Sequence, residues 1–250
     1  MRLFRCCVFL MLSLGCLAAG SAWADVTIES GPGTTALVEL FSSEGCSSCP
    51  PADRWFSSLL NDKGLWKDFA PAVFHVTYWD YLGWTDRLAK PEFTERQHAY
   101  AAMWGSRNVY TPGIVLNGRE WRGWSAGGKP AVNAPSPGKL TAVSRDGTAF
   151  SIQFVPTEPM RGNLKVYGAL LGFGIEHAIE RGENSGKALK HDFVVLELKT
   201  ADLKRLETGY EGQLILPRAK EKAARSGVVF WLQRENNPEP VQTAGGFLVR

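Results

Sequence analysis

The first half of the chain alternates between continuous apolar runs and stretches with helical periodicity. The apolar runs lie at 35–41 and 72–79, and the helical stretches lie at 50–61 and 91–104. A continuous apolar run is typical of a strand that is buried on both faces of a parallel sheet. Gly64 follows the first helical stretch closely, as expected at the end of a helix. The alternation of strand and helix predicts a parallel α/β layer sandwich.

The second half has a different pattern, in which short β-rich runs are separated by Gly, Pro and charged residues. The runs lie at 150–154, 164–171, 193–198, 213–216, 228–232 and 246–249. Strands that are this short and this frequent predict an all-β, sandwich-like domain. Only 218–225 has a helical pattern there.

A stretch dense in Gly, Pro and Ser separates the two patterns at 125–138. Such a stretch supports no long regular element, so it is interpreted as a linker. We therefore predict a first domain at 25–124 and a second at 139–250.

Residues 1–24 have the layout of a secretory signal peptide. Arg2 and Arg5 precede an apolar stretch at 8–19, and Ala22-Trp23-Ala24 follows it. Charged, apolar and small-residue segments in that order are typical of export signals. The mature chain is therefore expected to be secreted, or periplasmic in a bacterium, with no stable membrane insertion.

Two other interpretations of this N-terminal segment stay open. Cys16 follows Ser13-Leu14-Gly15 and is a candidate for lipid modification. The segment also has the composition of a hydrophobic N-terminal helix. A transmembrane anchor needs about 20 apolar residues, and this stretch is shorter.

Composition excludes several classes of protein. Of the 250 residues, 44% are hydrophobic and 21% are charged, which is typical of a globular chain rather than a disordered one. The 28 basic residues barely exceed the 25 acidic ones, and no Lys/Arg cluster alternates with aromatics. A nucleic-acid partner is therefore not expected.

Cysteine usage points to redox chemistry. Of the five cysteines, three lie in the N-terminal segment, which leaves Cys46 and Cys49 in Cys46-Ser47-Ser48-Cys49. A disulfide across so short a loop restricts the unfolded chain little, so the pair suits switching between thiol and disulfide. At the start of a helix the first cysteine gains thiolate character. Cys46 is therefore predicted to be the exposed nucleophile, and Cys49 the resolving thiol.

Thr111-Pro112, followed by a short apolar strand and Asn117-Gly118, is the second signal. A Cys-x-x-C at a helix start with a later Thr-Pro of this kind resembles the thioredoxin superfamily. The resemblance implies that Pro112 is cis, that it faces the disulfide, and that the backbone at Thr111 pairs with substrate. It also implies a thioredoxin-like αβα sandwich, followed here by the C-terminal β domain.

A closer resemblance covers most of the mature chain. The runs at 38–53, 78–84, 96–100 and 181–186 look like a secreted, thioredoxin-like bacterial family catalogued as domain of unknown function 1223. The resemblance supplies no physiological substrate. The chain departs from the family pattern at Gly113, and its Gly/Pro-rich run after Arg122 replaces the last thioredoxin helix.

Three more residues are candidates for the site. Glu39 interrupts the apolar run before the cysteines, where the thioredoxin resemblance implies a buried acid. A buried Glu39 would have a raised pKa and would accept the proton of Cys49 during resolution. The alternative is an exposed Glu at the end of a strand. Trp79 and Tyr81 are candidates for a substrate groove, although aromatic residues at that density also pack in cores and domain interfaces.

These features predict a thiol-disulfide oxidoreductase acting on protein or small-molecule thiols and disulfides, with no cofactor beyond its own disulfide. Copper or zinc binding by Cys46, Cys49 and a histidine is the first alternative. Its candidate histidines are His75, His98, His177 and His191, and no histidine stands at a motif spacing from the cysteines. A non-catalytic binding module is the second alternative.

Overall fold

The computed structural model describes residues 26–130 and 132–248. The predicted signal peptide at 1–24 and the candidate lipid site Cys16 lie outside the described residues. Among the helices that the structure describes, none is both long and apolar enough to cross a membrane.

Fifteen strands and two α-helices form the described part of the chain. The helices are α1 (Pro50–Ser58) and α2 (Pro91–Met103). The strands are β1 (Val26–Glu29), β2 (Ala36–Ser42), β3 (Phe69–His75), β4 (Gly113–Leu116), β5 (Arg119–Glu120), β6 (Gly138–Ser144), β7 (Ala149–Pro156), β8 (Leu164–Phe173), β9 (Ile175–Ala178), β10 (Ala188–His191), β11 (Val194–Asp202), β12 (Lys204–Arg205), β13 (Tyr210–Ile215), β14 (Arg225–Arg234) and β15 (Pro240–Phe247).

The largest sheet has eight strands in the order β15-β14-β8-β11-β3-β2-β4-β5. Strands β2 and β3 run parallel, with Leu40 opposite Val73. Strand β11 joins β3 in parallel and β8 in antiparallel orientation. The strands that the sequence assigned to two domains therefore form one continuous sheet, and its core draws side chains from both halves, Phe41 and Trp231 among them.

A second, five-stranded sheet has the order β1-β6-β7-β13-β12. It encloses a second core with one face of β8 and β14, to which Phe150 and Phe230 contribute mutually tilted rings whose centroids are 4.8 Å apart. Strands β9 and β10 form a separate antiparallel ribbon, with Leu189 opposite His177. This ribbon packs against α1.

The predicted fold class is wrong. Strands make up 42% of the structure and helices 14%, with two α-helices among the described residues, so the architecture is not a thioredoxin-like αβα sandwich. Hydrophobic periodicity gives local structure, whereas sheet membership is decided by pairing between distant strands. Strands β8, β11, β14 and β15 of the second half extend the β2–β3 sheet, whereas β6, β7, β12 and β13 belong to the five-stranded sheet.

Both helices of the first half are confirmed close to their predicted bounds. In α1, prolines occupy the first turn, where backbone donors have no helical partner, and Ala52 and Phe56 are buried. In α2, Phe93 and Tyr100 face the core. The predicted helix at 218–225 is wrong, because the described chain there forms a loop from which Ala219 and Ala223 pack against β11.

Candidate functional site

Cys46 and Cys49 form a disulfide between the end of β2 and the start of α1. The backbone N–H of Cys46 donates to the Ser43 carbonyl at 3.1 Å, and the N–H of Cys49 donates to the Cys46 carbonyl at 3.3 Å. Both cysteines are 0% exposed, while Ser47 and Ser48 between them are exposed. The prediction that Cys46 is an exposed thiol is therefore wrong for this state, because other residues cover it.

The cover is the loop 181–186 between β9 and β10. The Asn184 side-chain amide donates to the carbonyls of Glu44 and Cys46, both at 2.9 Å. The Glu183 carboxylate accepts from the backbone N–H of Ser47 at 3.0 Å. Hydrogen bonds from the side chain and backbone of Ser47 lower the pKa of Glu183. A loop from the second half of the chain thus seals the disulfide of the first half.

Directly before the disulfide, Glu44 is fully buried in a polar cluster with β9 and β10. Its Oε1 atom lies 2.5 Å from His177 Nδ1 and 3.5 Å from His191 Nε2. The Trp84 indole donates to its Oε2 at 2.8 Å. Burial raises the pKa of Glu44, but the nearby His191 imidazole, the hydrogen bond from Trp84 and the charge of His75 together outweigh it, and the pKa is lowered. Glu44 is therefore a carboxylate held among imidazoles.

His75 and Asp86 form a fully buried ion pair beside Glu44. Their Nδ1 and Oδ2 atoms are 2.7 Å apart, and Asp86 also accepts from the backbone N–H of Glu44 at 2.8 Å. Burial opposes the charged form of each group, but the attraction between them prevails. It raises the pKa of His75 to about 9 and lowers that of Asp86 to about 2. The pair is charged at neutral pH.

The buried acid next to Cys49 is Asp53, one turn further along α1. Its backbone N–H donates to the Cys49 carbonyl at 3.1 Å, so the two side chains lie on one helix face. Ser42 donates to its carboxyl group at 3.1 Å. Burial raises the pKa of Asp53, and the charges of His191 and His75 only partly oppose this. Asp53 can therefore hold a proton beside Cys49.

Glu39 lies on the other face of the sheet. Side chains alternate along a strand, so Glu39 points away from the face on which Ser42 contacts α1. Its carboxylate is 2.6 Å from Arg96 Nε and also accepts from the Tyr100 hydroxyl. The Arg96 cation in turn lies 4.7 Å from the centre of the Trp231 ring. Glu39 is buried but fully paired, which favours a structural role over the predicted proton transfer.

The other predicted site residues are Thr111, Pro112, Trp79 and Tyr81, and they differ in their contacts. The Thr111–Pro112 bond is cis, as predicted. The Trp79 indole donates to Thr111 Oγ1 at 2.7 Å. Trp79 also touches the chain just before Cys46, since a Cβ added at Gly45 would lie 3.0 Å from Trp79 Cβ. Tyr81 is 78% exposed and extends into solvent.

The candidate metal ligands do not form a ligand cluster in this state. No group of three or more His, Cys, Asp and Glu side chains in the described residues is arranged to hold a metal ion. The two cysteines are bonded to each other. His98 is exposed on α2, whereas His75, His177 and His191 are buried with the carboxylates described above.

A family model described as "Protein of unknown function (DUF1223)" matches residues 37–233. The chain belongs to this family. No curated protein matches the chain.

Two solved structures resemble this DUF1223 chain. One is the protein AGR_C_4864 from Agrobacterium tumefaciens, with 26% identity and a TM-score of 0.61, over 85% of this chain and 94% of that one. The other is HBP35 of Porphyromonas gingivalis, with 12% identity and a TM-score of 0.58, over 88% of this chain and 76% of that one. The second likeness concerns the fold alone.

Sequence reasoning missed several residues of the DUF1223 site. These are Glu44, Asp53, Asp86 and Asn184, whereas His177 and His191 were considered only as candidate metal ligands. Asn184 lies in the family-like run at 181–186. Its hydrogen bond to Cys46, 138 positions earlier, cannot be inferred from the residues around it in the sequence. The histidines were a usable sequence signal, because the chain has four of them and three lie around Glu44 and Asp86.

Proposed function

We propose that this protein is a thiol-disulfide oxidoreductase whose redox-active group is the Cys46–Cys49 disulfide. The observation that carries the proposal is the buried carboxyl group of Asp53 on the same helix face as Cys49. A protonatable group at that position serves the thiol-disulfide step directly. The proposal depends on this local arrangement and needs no thioredoxin-like fold.

In the reductive direction, a thiolate of the substrate attacks Cys46 Sγ and forms a mixed disulfide. The Cys46–Cys49 bond breaks, and Cys49 leaves as a thiolate that takes a proton from Asp53. A second substrate thiol then attacks the mixed disulfide and releases Cys46. In the oxidative direction Asp53 accepts the proton of Cys49, which activates Cys49 for attack on the mixed disulfide.

Access to the disulfide requires the loop 181–186 to move. Three hydrogen bonds from Glu183 and Asn184 hold the loop on the cysteine segment. Each such bond contributes about 1 kcal/mol net to stability, so the loop can open with a small cost in free energy. Protein and small-molecule thiols or disulfides are the proposed substrates. Export to the periplasm or beyond, supported by the pattern of 1–24, would suit a disulfide.

The test is disulfide exchange by the purified protein with dithiothreitol and glutathione disulfide. The wild type should exchange with both, and Cys46→Ser should abolish exchange. Cys49→Ser should accumulate a mixed disulfide at Cys46, detected by intact mass, and the variant with both substitutions is the matched control. A mixed disulfide trapped at Cys49 instead would contradict the assigned roles. Stoichiometric copper or zinc retained by the reduced protein, without exchange, would favour the metal-binding alternative.

A further inference from the structure

We propose that protons travel between solvent and the buried redox site along a path of four side chains, Glu221, His177, Glu44 and His191. The inference rests on the proposed function, because it concerns how that chemistry exchanges protons with water. While the loop 181–186 is closed, the sulfurs and Asp53 are buried, so a proton cannot reach them by direct contact with solvent. A route through protein groups is needed.

The outer end of the path is Glu221, in the loop between β13 and β14. Its side chain is 31% exposed, and its Oε1 atom lies 3.6 Å from His177 Nε2. The other ring nitrogen of His177, Nδ1, lies 2.5 Å from Glu44 Oε1. An imidazole takes a proton at one nitrogen and releases one from the other. His177 thus lies between a carboxylate in contact with water and one that is fully buried.

The inner end of the path is His191. Its Nε2 atom lies 3.5 Å from Glu44 Oε1, and neither ring nitrogen has a hydrogen-bond partner in the part of the chain that the structure describes. Buried ring nitrogens without a hydrogen-bond partner are rare in folded proteins, and such a group calls for an explanation. Of the imidazoles that act on Asp53, His191 lowers its pKa the most, and β10 packs on α1. It is positioned to pass a proton to Asp53.

Charged neighbours surround the path on every side. His177 faces Glu44 and Glu221, and Glu44 also faces His191 and the charged pair His75–Asp86. Asp53 faces His191, His75 and Asp86. The ion pair keeps its own proton on His75, since Asp86 binds that imidazole directly. The remaining imidazoles, His177 and His191, are therefore the ones that carry the moving proton.

Proton and electron balance is complete when a dithiol reduces the disulfide. The dithiol supplies two electrons and becomes a disulfide, and its two protons go to water. Asp53 protonates the leaving Cys49 thiolate, and it is reprotonated from water through Glu221, His177, Glu44 and His191. The Cys46 thiolate released in the second step is protonated in the same way.

The experiment measures the rate of reduction by saturating dithiothreitol, followed by tryptophan fluorescence in stopped flow between pH 5 and 9. We expect His177→Gln to slow reduction about 10-fold or more at pH 7, because general acid-base groups contribute about 10²–10⁴-fold. The equilibrium constant with dithiothreitol should stay unchanged, since a proton path alters rates only. His98→Gln, at an exposed position on α2, is the control.

A second measurement separates proton transfer from a structural role. His177→Ala leaves room for an added imidazole, and millimolar imidazole should restore most of its lost rate. Glu221→Gln, at a partly exposed site that tolerates substitution, should slow reduction and flatten the pH profile even if the His177 variants fold poorly. Wild-type rates in His177→Gln or in Glu221→Gln, or no rescue by imidazole, would overturn the path alone. A wild-type disulfide that does not react with dithiothreitol would overturn the proposed function as well.

Discussion

The two faces of β2 carry buried polar groups of opposite character. On one face, Glu39 is paired with Arg96 and Tyr100, and the cation lies against aromatic rings. On the other, Asp53 and His191 lie beside the disulfide with their polar atoms only partly used. Complete pairing holds the two halves of the chain together, whereas incomplete pairing leaves groups free to gain and lose protons. The comparison separates charged groups that stabilise the fold from groups that serve the proposed chemistry, on the two sides of one strand.

The largest effect is expected from breaking the paired face. Arg96→Met leaves the Glu39 carboxylate buried without its partner, which should lower the free energy of unfolding by about 3–5 kcal/mol. Urea denaturation monitored by circular dichroism measures this. The matched variant Glu39→Leu/Arg96→Met removes both charges and should recover most of the loss. Equal losses in the two variants would mean that packing, rather than the ion pair, stabilises this face.

The pH dependence of stability should reveal the charged pair on the other face. The folded state raises the pKa of His75 from 6.5 to about 9. Its contribution is therefore complete below pH 6.5 and is lost as the pH rises through 9. The loss should be on the order of 3 kcal/mol, at about 1.4 kcal/mol per pKa unit. Urea titrations at several pH values measure it, and Asp86→Asn should flatten the curve. An unchanged slope in that variant would assign the effect to another group.

Asp53→Asn tests the chemical face directly. We expect dithiothreitol to reduce the disulfide about 10- to 100-fold more slowly, because the proton donor for Cys49 is lost. Stability should rise at neutral pH, since burial disfavours the charged form of Asp53. Glu39→Gln is the comparison, and it should leave the rate per folded molecule unchanged. A rate loss in Glu39→Gln equal to that in Asp53→Asn would reverse the assignment of the two faces.

The smallest effect is expected at the cover of the site. Asn184→Ala removes two hydrogen bonds to the cysteine segment and should destabilise the closed loop by about 1–2 kcal/mol. The disulfide should then react severalfold faster with dithiothreitol. Ser185→Ala, in the same loop but bonded to Glu180 instead, is the control. If both variants react like the wild type, the loop does not limit access.

Local features of this fold were predictable from the sequence, and distant pairings were not. Periodicity located α1 and α2, and the cysteine spacing located the disulfide. The position of β11 between β3 and β8 could not be predicted, because a buried apolar strand has the same sequence pattern in any sheet. Likewise Glu39 and Asp53 are both buried acids, and only their partners distinguish them.

The order in which the chain is made has a consequence for the site. Asn184 is synthesised 138 residues after Cys46, and β9 and β10 follow α1 by a similar interval. Until those residues emerge from the ribosome, the cysteine segment has no cover, and the neighbour of β3 on one side is missing. The two thiols are therefore accessible to an oxidant before the chain is complete, and the finished molecule closes over the bond that joins them. Under the proposed function, the formation of this bond and its later exchange use the same pair of sulfurs under opposite conditions of access.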